Sequence, residues 1–384
     1  MTGAGGTSTP HPTPGASAAS TATIAFVESP VQLLNVLEWA HVSGETAGAN
    51  GTAGANGTAG ADAGAGLSIV VLSPTDPMSR GQLRRVADLA RDAGFAVRWQ
   101  EARGGAGAPV RTVRELAPAL RKADRVVIGD PFSRYVQLLL ALVGTKELTV
   151  VDDGTATMEF VGQLARGERL VRWHRRGGSR GPRELALAPV TAAARRRLTP
   201  SAARSVEVFT SMPVEEVPEG ITVTRNTFAW TRATYGPPRI TTGADMVGTS
   251  LVETGVVDEA PYLEAVMALA RTHGATRYFA HRREHVDKLH RLHTATGLEI
   301  VRPDLPLELI ARRGPIGRMV LSFPSTVVHT LPLALAGTGV KVAVCDIAPE
   351  WLKSTASPRA QGFLSGVTGT AKDIHRLPRL PSPA

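Results

Sequence analysis

The sequence predicts an α/β protein of two Rossmann-like domains facing a central cleft. Three observations predict it. Short apolar strands alternate with helical patterns from Thr23 to Val151, as in a doubly wound parallel sheet. The stretch from Ser211 to Ile240 carries several prolines and little periodicity, which reads as a connection. A second strand–helix alternation starts near Asp245 and runs to Cys345.

The elements follow in order. Residues 1–22 are mostly Gly, Ser, Thr, Pro and Ala, without a basic start or an apolar run, so they read as a disordered tail rather than a leader. Ile24 to Val27 is a strand. Ser29 is placed to cap the next helix and Pro30 suits its first turn, with Leu33, Leu34, Leu37 and Ala40 at helical spacing. Residues 44–66 interrupt this pattern. Thr-Ala-Gly-Ala-Asn-Gly occurs at Thr46–Gly51 and again at Thr52–Gly57, without the large apolar residues a solenoid needs. A flexible insertion is expected there. Strands at Ser68–Leu72, Ala96–Gln100 and Arg125–Ile128 alternate with helices at Gly81–Ala93, Val110–Arg121 and Ser133–Val143. Leu148 to Val151 then leads into Asp152-Asp153-Gly154, and Val206–Thr210 closes the first domain.

The second domain reads likewise. Met246–Thr249, Thr276–Ala280, Glu299–Val301, Met319–Phe323 and Lys341–Cys345 are strands. Ala260–Thr272, Arg283–Thr296, Pro306–Arg312 and Thr326–Ala336 are helices. The expected division is an N-terminal domain over 23–210, a connection over 211–244, a C-terminal nucleotide-binding domain over 245–370 and a tail over 371–384. Two such domains with a cleft between them describe a GT-B-like architecture.

Composition bounds the function. The chain has 384 residues, 43% hydrophobic and 20% charged, as a soluble globular protein has. Its net charge is +9, and only six of the 43 basic residues are lysine. Such a balance favours nucleotides, acidic glycans or a membrane surface as partners. Cys345 alone excludes an intrachain disulfide framework and a multi-cysteine zinc site. No apolar run approaches the ~20 residues of a membrane span. The expected location is the cytoplasm, with peripheral contact at the inner face of the membrane through the arginine-rich residues 166–183. Trp173 is the one aromatic within that segment, so nucleic acid is not an expected partner.

Three segments could carry chemistry. Asp152 and Asp153 end a strand, where open α/β sheets place their sites. Adjacent strand residues face opposite ways, so one of the two should enter the cleft as a base; the plain alternative is a turn pair. Tyr278 to His285 is the second. His281 follows a strand and opens the expected helix, where it could donate to a departing phosphate oxygen while Arg282 or Arg283 neutralises charge. His281, Glu284 and His285 imitate part of a metal cluster, but no further ligand falls at a useful spacing. In the third segment, Ser325 and Thr326 start a helix and could grip a phosphate or simply cap it. Walker, G-x-G-x-x-G and G-x-S-x-G patterns are all absent from these segments.

Asp152-Asp153-Gly154, His281 with its arginine and glutamate neighbours, and Ser325-Thr326 resemble, in order, the three short motifs of bacterial sialyltransferases. The nearest groups are the lipooligosaccharide sialyltransferases and capsular polysialyltransferases. The opening, Phe26 to Leu33 with Glu28 and Ser29, resembles their first strand and helix. Two departures stand out: Arg282 follows His281 where the family has proline, and Gly248-Thr249-Ser250-Leu251 lacks an expected Gln-Pro.

The resemblance implies a GT-B fold and metal-independent, inverting transfer of sialic acid or a related sugar from a CMP-activated donor to a cell-surface glycan precursor, with no further cofactor. It implies Asp152 or Asp153 as the base, Asp152 first, and His281 as the group that helps CMP leave. Ser325 and Thr326, with Arg282 and Arg283, would hold the donor phosphate; Gly154, Glu28 and Ser29 would support the cleft. Two other readings stay open: a nucleotide-sugar epimerase or hydrolase on the same fold, and a non-catalytic polyanion-binding protein.

Overall fold

The computed structural model of the chain describes residues 22–45, 66–103, 105, 107–142, 144–171, 182–354 and 358–378. The N-terminal tail, nearly all of the repeat-bearing insertion and most of the arginine-rich segment 166–183 lie outside the described residues.

Strand β1 (Ala22–Val27) is almost wholly buried, as a strand covered on both faces must be. Helix α1 (Pro30–Ser43) follows as expected: Ser29 Oγ accepts the Gln32 N–H at 3.2 Å and Pro30 occupies the first turn. The domain continues through β2 (Gly66–Leu72), α2 (Pro77–Asp92), β3 (Ala96–Gln100), α3 (Ala108–Lys122), β4 (Arg125–Ile128), α4 (Arg134–Ala141) and β5 (Glu147–Val151). Then come α5 (Thr155–Ala165), α6 (Pro182–Leu198), β6 (Ser205–Thr210) and β7 (Ile221–Arg225). The strand order is β3-β2-β1-β4-β5-β6-β7, and every pairing is parallel.

A linker helix, α7 (Ala229–Tyr235), leads to the second domain. That domain comprises β8 (Ile240–Val247), α8 (Glu259–His273), β9 (Ala275–Phe279), α9 (Val286–Thr296), β10 (Glu299–Val301), α10 (Leu307–Arg313) and β11 (Ile316–Ser322). It ends with α11 (Val327–Ala334), β12 (Lys341–Val344), α12 (Pro358–Thr370) and β13 (His375–Arg376). Its order, β10-β9-β8-β11-β12-β13, is the Rossmann order and is again parallel throughout. The protein is therefore α/β and GT-B-like, with two Rossmann-like domains facing a central cleft.

The domain bounds differ from expectation at both ends of the connection. Strand β7 extends the first sheet, so the N-terminal domain runs past residue 210. The second sheet begins at Ile240, before residue 245, and β13 brings part of the expected tail into it beside β12. The sequence reading does not contain helices α5, α6, α7 and α12.

The two domains are joined by more than the linker. Glu38 of α1, fully buried, accepts the Trp230 and Thr231 N–H groups at 2.9 Å each and the Thr231 hydroxyl at 2.6 Å. It thereby caps the start of α7 from the neighbouring helix. Leu305, Leu309 and Ala334 of the second domain pack into the same apolar cluster as α1, Phe228 and Trp230. Gln82 donates to the Pro303 carbonyl at 2.7 Å, and Arg85 pairs with Asp304 at 2.7 Å. Among the described residues no helix is long and apolar enough to cross a membrane.

Candidate active site

A cleft of about 390 Å³ lies between the carboxyl ends of the two sheets. Parallel sheets concentrate loop-borne side chains at this end. The first domain contributes Ser29, Asp152, Asp153 and Gly154; the second contributes His281, Arg282, Ser325 and Thr326. Of the residues singled out in the sequence, Glu28, Arg283, Glu284 and His285 do not border the cleft. Glu28 pairs instead with Arg103, and burial raises its pKa against the pull of that guanidinium.

The two aspartates are placed differently. Asp152 is 2% exposed. Its Oδ2 accepts from the Ser211 N–H at 3.1 Å and the Ser211 hydroxyl at 2.8 Å, while Oδ1 accepts the Gly154 N–H at 3.1 Å. Burial pushes its carboxyl pKa up, and the Ser211 and Thr157 hydroxyls oppose that. Asp153 is only half-buried. Its backbone N–H donates to Thr157 Oγ1 at 2.9 Å, and its charge acts on Arg282 across the cleft. Asn35 of α1 supports the turn from below by donating to the Asp152 carbonyl at 2.9 Å. Asn226 donates to Asn35 Oδ1 at 2.9 Å and completes that support.

His281 stands on the loop between β9 and α9. The helix begins only at Val286, so the expected position of His281 at a helix N-terminus is not realised. The loop is shaped instead by Glu284, which is 3% exposed and turned inward. Glu284 accepts the His281 N–H at 2.5 Å and the Tyr278 hydroxyl at 2.7 Å, and pairs with buried Lys288 at 2.8 Å. Lys288 also pairs with Glu253 at 2.9 Å. Gly248 makes room for this network: a Cβ there would lie 2.1 Å from Glu284 Oε2 and 2.7 Å from the Tyr278 hydroxyl.

The ring of His281 has a defined tautomer. Its Nδ1 accepts the Arg283 N–H at 3.2 Å, so the proton of the neutral ring sits on Nε2. Burial, then the charges of Arg282 and Arg283, lower its pKa to about 4. At neutral pH it is an uncharged hydrogen-bond donor. Desolvation and repulsion from Arg283 lower the pKa of Arg282, while Asp153 and Asp76 raise it. Arg282 also reaches Ser79 of the first domain at 3.4 Å.

On the same, second-domain wall Thr326 is the N-cap residue of α11, and Ser325 precedes it. Ser325 Oγ is buried with no hydrogen-bond partner, and Ser325 borders the cleft at the start of α11. Glu308 completes the floor. It accepts from Thr330 at 2.6 Å, and its pKa is raised by burial and, less, by Asp152. Among the described residues no three His, Cys, Asp or Glu side chains gather as a metal site.

Sequence reasoning missed Asn35, Ser211, Asn226, Glu308 and the Glu253–Lys288–Glu284 network. A faint signal existed for Asn35, a polar residue among Leu33, Leu34 and Leu37 on a buried helix.

The chain matches no family model, and no curated protein matches its sequence. Its fold is similar to solved structures. One is an α/β-galactoside α-2,3-sialyltransferase from Photobacterium phosphoreum, with a TM-score of 0.47, 8% identity, and 93% of this chain and 98% of that one covered. A second is a Listeria monocytogenes protein assigned as a UDP-N-acetylglucosamine 2-epimerase, with a TM-score of 0.49, 12% identity and 93% of each chain covered. A third is the E. coli heptosyltransferase WaaC with ADP, with a TM-score of 0.39, 15% identity, and 91% and 98% covered. At these scores the likenesses decide neither the fold, which the strand order gives, nor the reaction.

Proposed function

We propose that the protein is an inverting glycosyltransferase of sialyltransferase type. It would transfer sialic acid or a related sugar from a CMP-activated donor to a hydroxyl of a cell-surface glycan precursor, working in the cytoplasm. One observation carries the reading: a carboxylate on the first domain's wall, Asp153, faces a cationic and hydroxyl-bearing wall on the second, where neutral His281 and Arg282 both border the cleft.

The chemistry is a single in-line displacement. Asp153 takes the proton of the acceptor hydroxyl as that oxygen bonds the anomeric carbon. The bond from that carbon to the donor phosphate breaks, and its electron pair leaves with CMP. His281 Nε2–H donates to the departing phosphate oxygen, Arg282 balances its charge, and Ser325 Oγ holds the phosphate at the start of α11. Asp153 suits the role of base better than Asp152, whose two oxygens are already taken up by Ser211 and Gly154.

A thermal-shift series with CMP, UDP and GDP tests the donor. CMP is expected to raise the melting temperature selectively, and Asp153→Asn to abolish transfer while keeping that shift. Selectivity for UDP or GDP would overturn the donor assignment. Release of free sugar or an epimer without any acceptor would favour an epimerase or hydrolase instead.

A further inference from the structure

A second cavity, of about 300 Å³, opens on another face of α11. Val327 and Thr330 of that helix border the main cleft, whereas His329, Pro332 and Leu333 border this one. The cavity lies between the carboxyl ends of β6 and β7 and the turn from α12 to β13. Met212 borders both spaces, and Ser211, which holds the Asp152 carboxylate, lines the second.

The lining mixes two chemistries. Met212, Val214, Val223 and Leu333 are apolar, and His329, Arg225, Lys372, Thr370 and Asp373 are polar or charged. Arg225 and Lys372 are exposed at the rim, and Asp373, the one carboxylate there, sits beside Lys372 in the left-handed conformation, φ 59°.

His329 carries the argument. It is 8% exposed, and its Nε2 is buried with no hydrogen-bond partner. Burial lowers its pKa, so the ring is neutral at neutral pH. A buried ring nitrogen without a partner is costly, and a ligand hydroxyl, which can both donate and accept, is a group that would satisfy it.

We propose that this cavity binds a small hydroxylated anion of the sugar-acid or sugar-phosphate class. A ligand hydroxyl bonds to His329 Nε2, the acidic group faces Arg225 and Lys372, and the C–H face of the ring lies on the apolar side chains. Asp373 accepts a second hydroxyl. Cavities of this size, roughly 300 Å³, stand at the lower end for small-molecule sites and suit one monosaccharide. The site stands whatever reaction the main cleft performs.

The test is a calorimetric titration of the full chain with glucuronic acid and glucose 6-phosphate, with glucose and inorganic phosphate as controls. Ring signals of His329 are followed by NMR in parallel. The two acidic sugars are expected to bind tighter than both controls and to move the His329 ring signals. The exposed double variant Arg225→Ala/Lys372→Ala should bind them roughly tenfold to hundredfold more weakly. His329→Phe should also lose binding; if it fails to fold, the double variant decides. His281→Ala should leave the affinity unchanged. Binding no tighter than glucose, unmoved His329 signals, an affinity indifferent to the double variant, or loss of binding in His281→Ala would each overturn the proposal.

Discussion

Gly154 and Thr326 meet across the cleft: a methyl group placed on Gly154 would lie 3.2 Å from Thr326 Cγ2. One belongs to the acidic turn after β5, the other caps α11. Gly154 holds φ 65° and ψ −127°, a conformation open almost only to glycine. The turn that presents Asp153 and the helix start that follows Ser325 thus approach closely enough that a side chain on Gly154 would crowd Thr326.

Gly154→Ala should lower stability by about 1–3 kcal/mol, from backbone strain together with the clash. Adding Thr326→Ser removes the offending methyl and should restore the steric part only. Urea denaturation of the single and double variants separates the two contributions.

The two aspartates should fail in different ways. Asp153→Asn is expected to cut transfer roughly 10²–10⁴-fold with unchanged stability, the scale of a lost general base. Asp152→Asn sets an amide N–H₂ against the N–H and hydroxyl donors of Ser211 or the N–H of Gly154, and should cost about 1–3 kcal/mol of stability. Melting curves beside activity assays distinguish a chemical from a structural loss.

His281 should titrate near its shifted value of about 4 in the free protein. Its folded pKa lies below the ordinary histidine value of roughly 6.5, so the unfolded chain binds the proton first. Its contribution to stability is complete above about pH 6.5 and is lost as pH falls toward 4. A bound phosphate offsets the charges of Arg282 and Arg283, so CMP should raise the pKa. NMR titration of the ring with and without CMP checks both statements; a pKa near 6.5 without ligand would contradict them.

Glu38→Ala removes the carboxylate that caps α7. Three buried donors lose their acceptor, and stability should fall by about 3 kcal/mol. Glu38→Gln keeps one acceptor oxygen and should cost less. Because α7 is the linker helix, hydrogen exchange at Trp230 and Thr231 should rise first in both variants.

Strand ends were the most legible part of the site. Leu148–Val151 and Tyr278–Ala280 are apolar runs followed by polar residues, and such runs state both the strand and its end. The supports were not legible. Asn35 holds a carbonyl 117 residues away and Ser211 a carboxylate 59 residues away, and periodicity names a face but never a partner. In the sequence Glu284 is a neighbour of His281 that imitates part of a metal cluster. It faces inward to Lys288 and Tyr278, because Gly248 leaves space for it there.

From the sequence alone came the α/β class, the two strand–helix series and the ends of the strands, because apolar runs and their period are local properties of the chain. Tertiary structure decided the rest. It buried Asp152 against Ser211 and left Asp153 facing Arg282, it set the tautomer of His281, and it left His329 Nε2 unpaired in a second cavity. Each depends on which distant segment comes to lie beside the residue, and that is settled only when two sheets and the helix between them pack as one body.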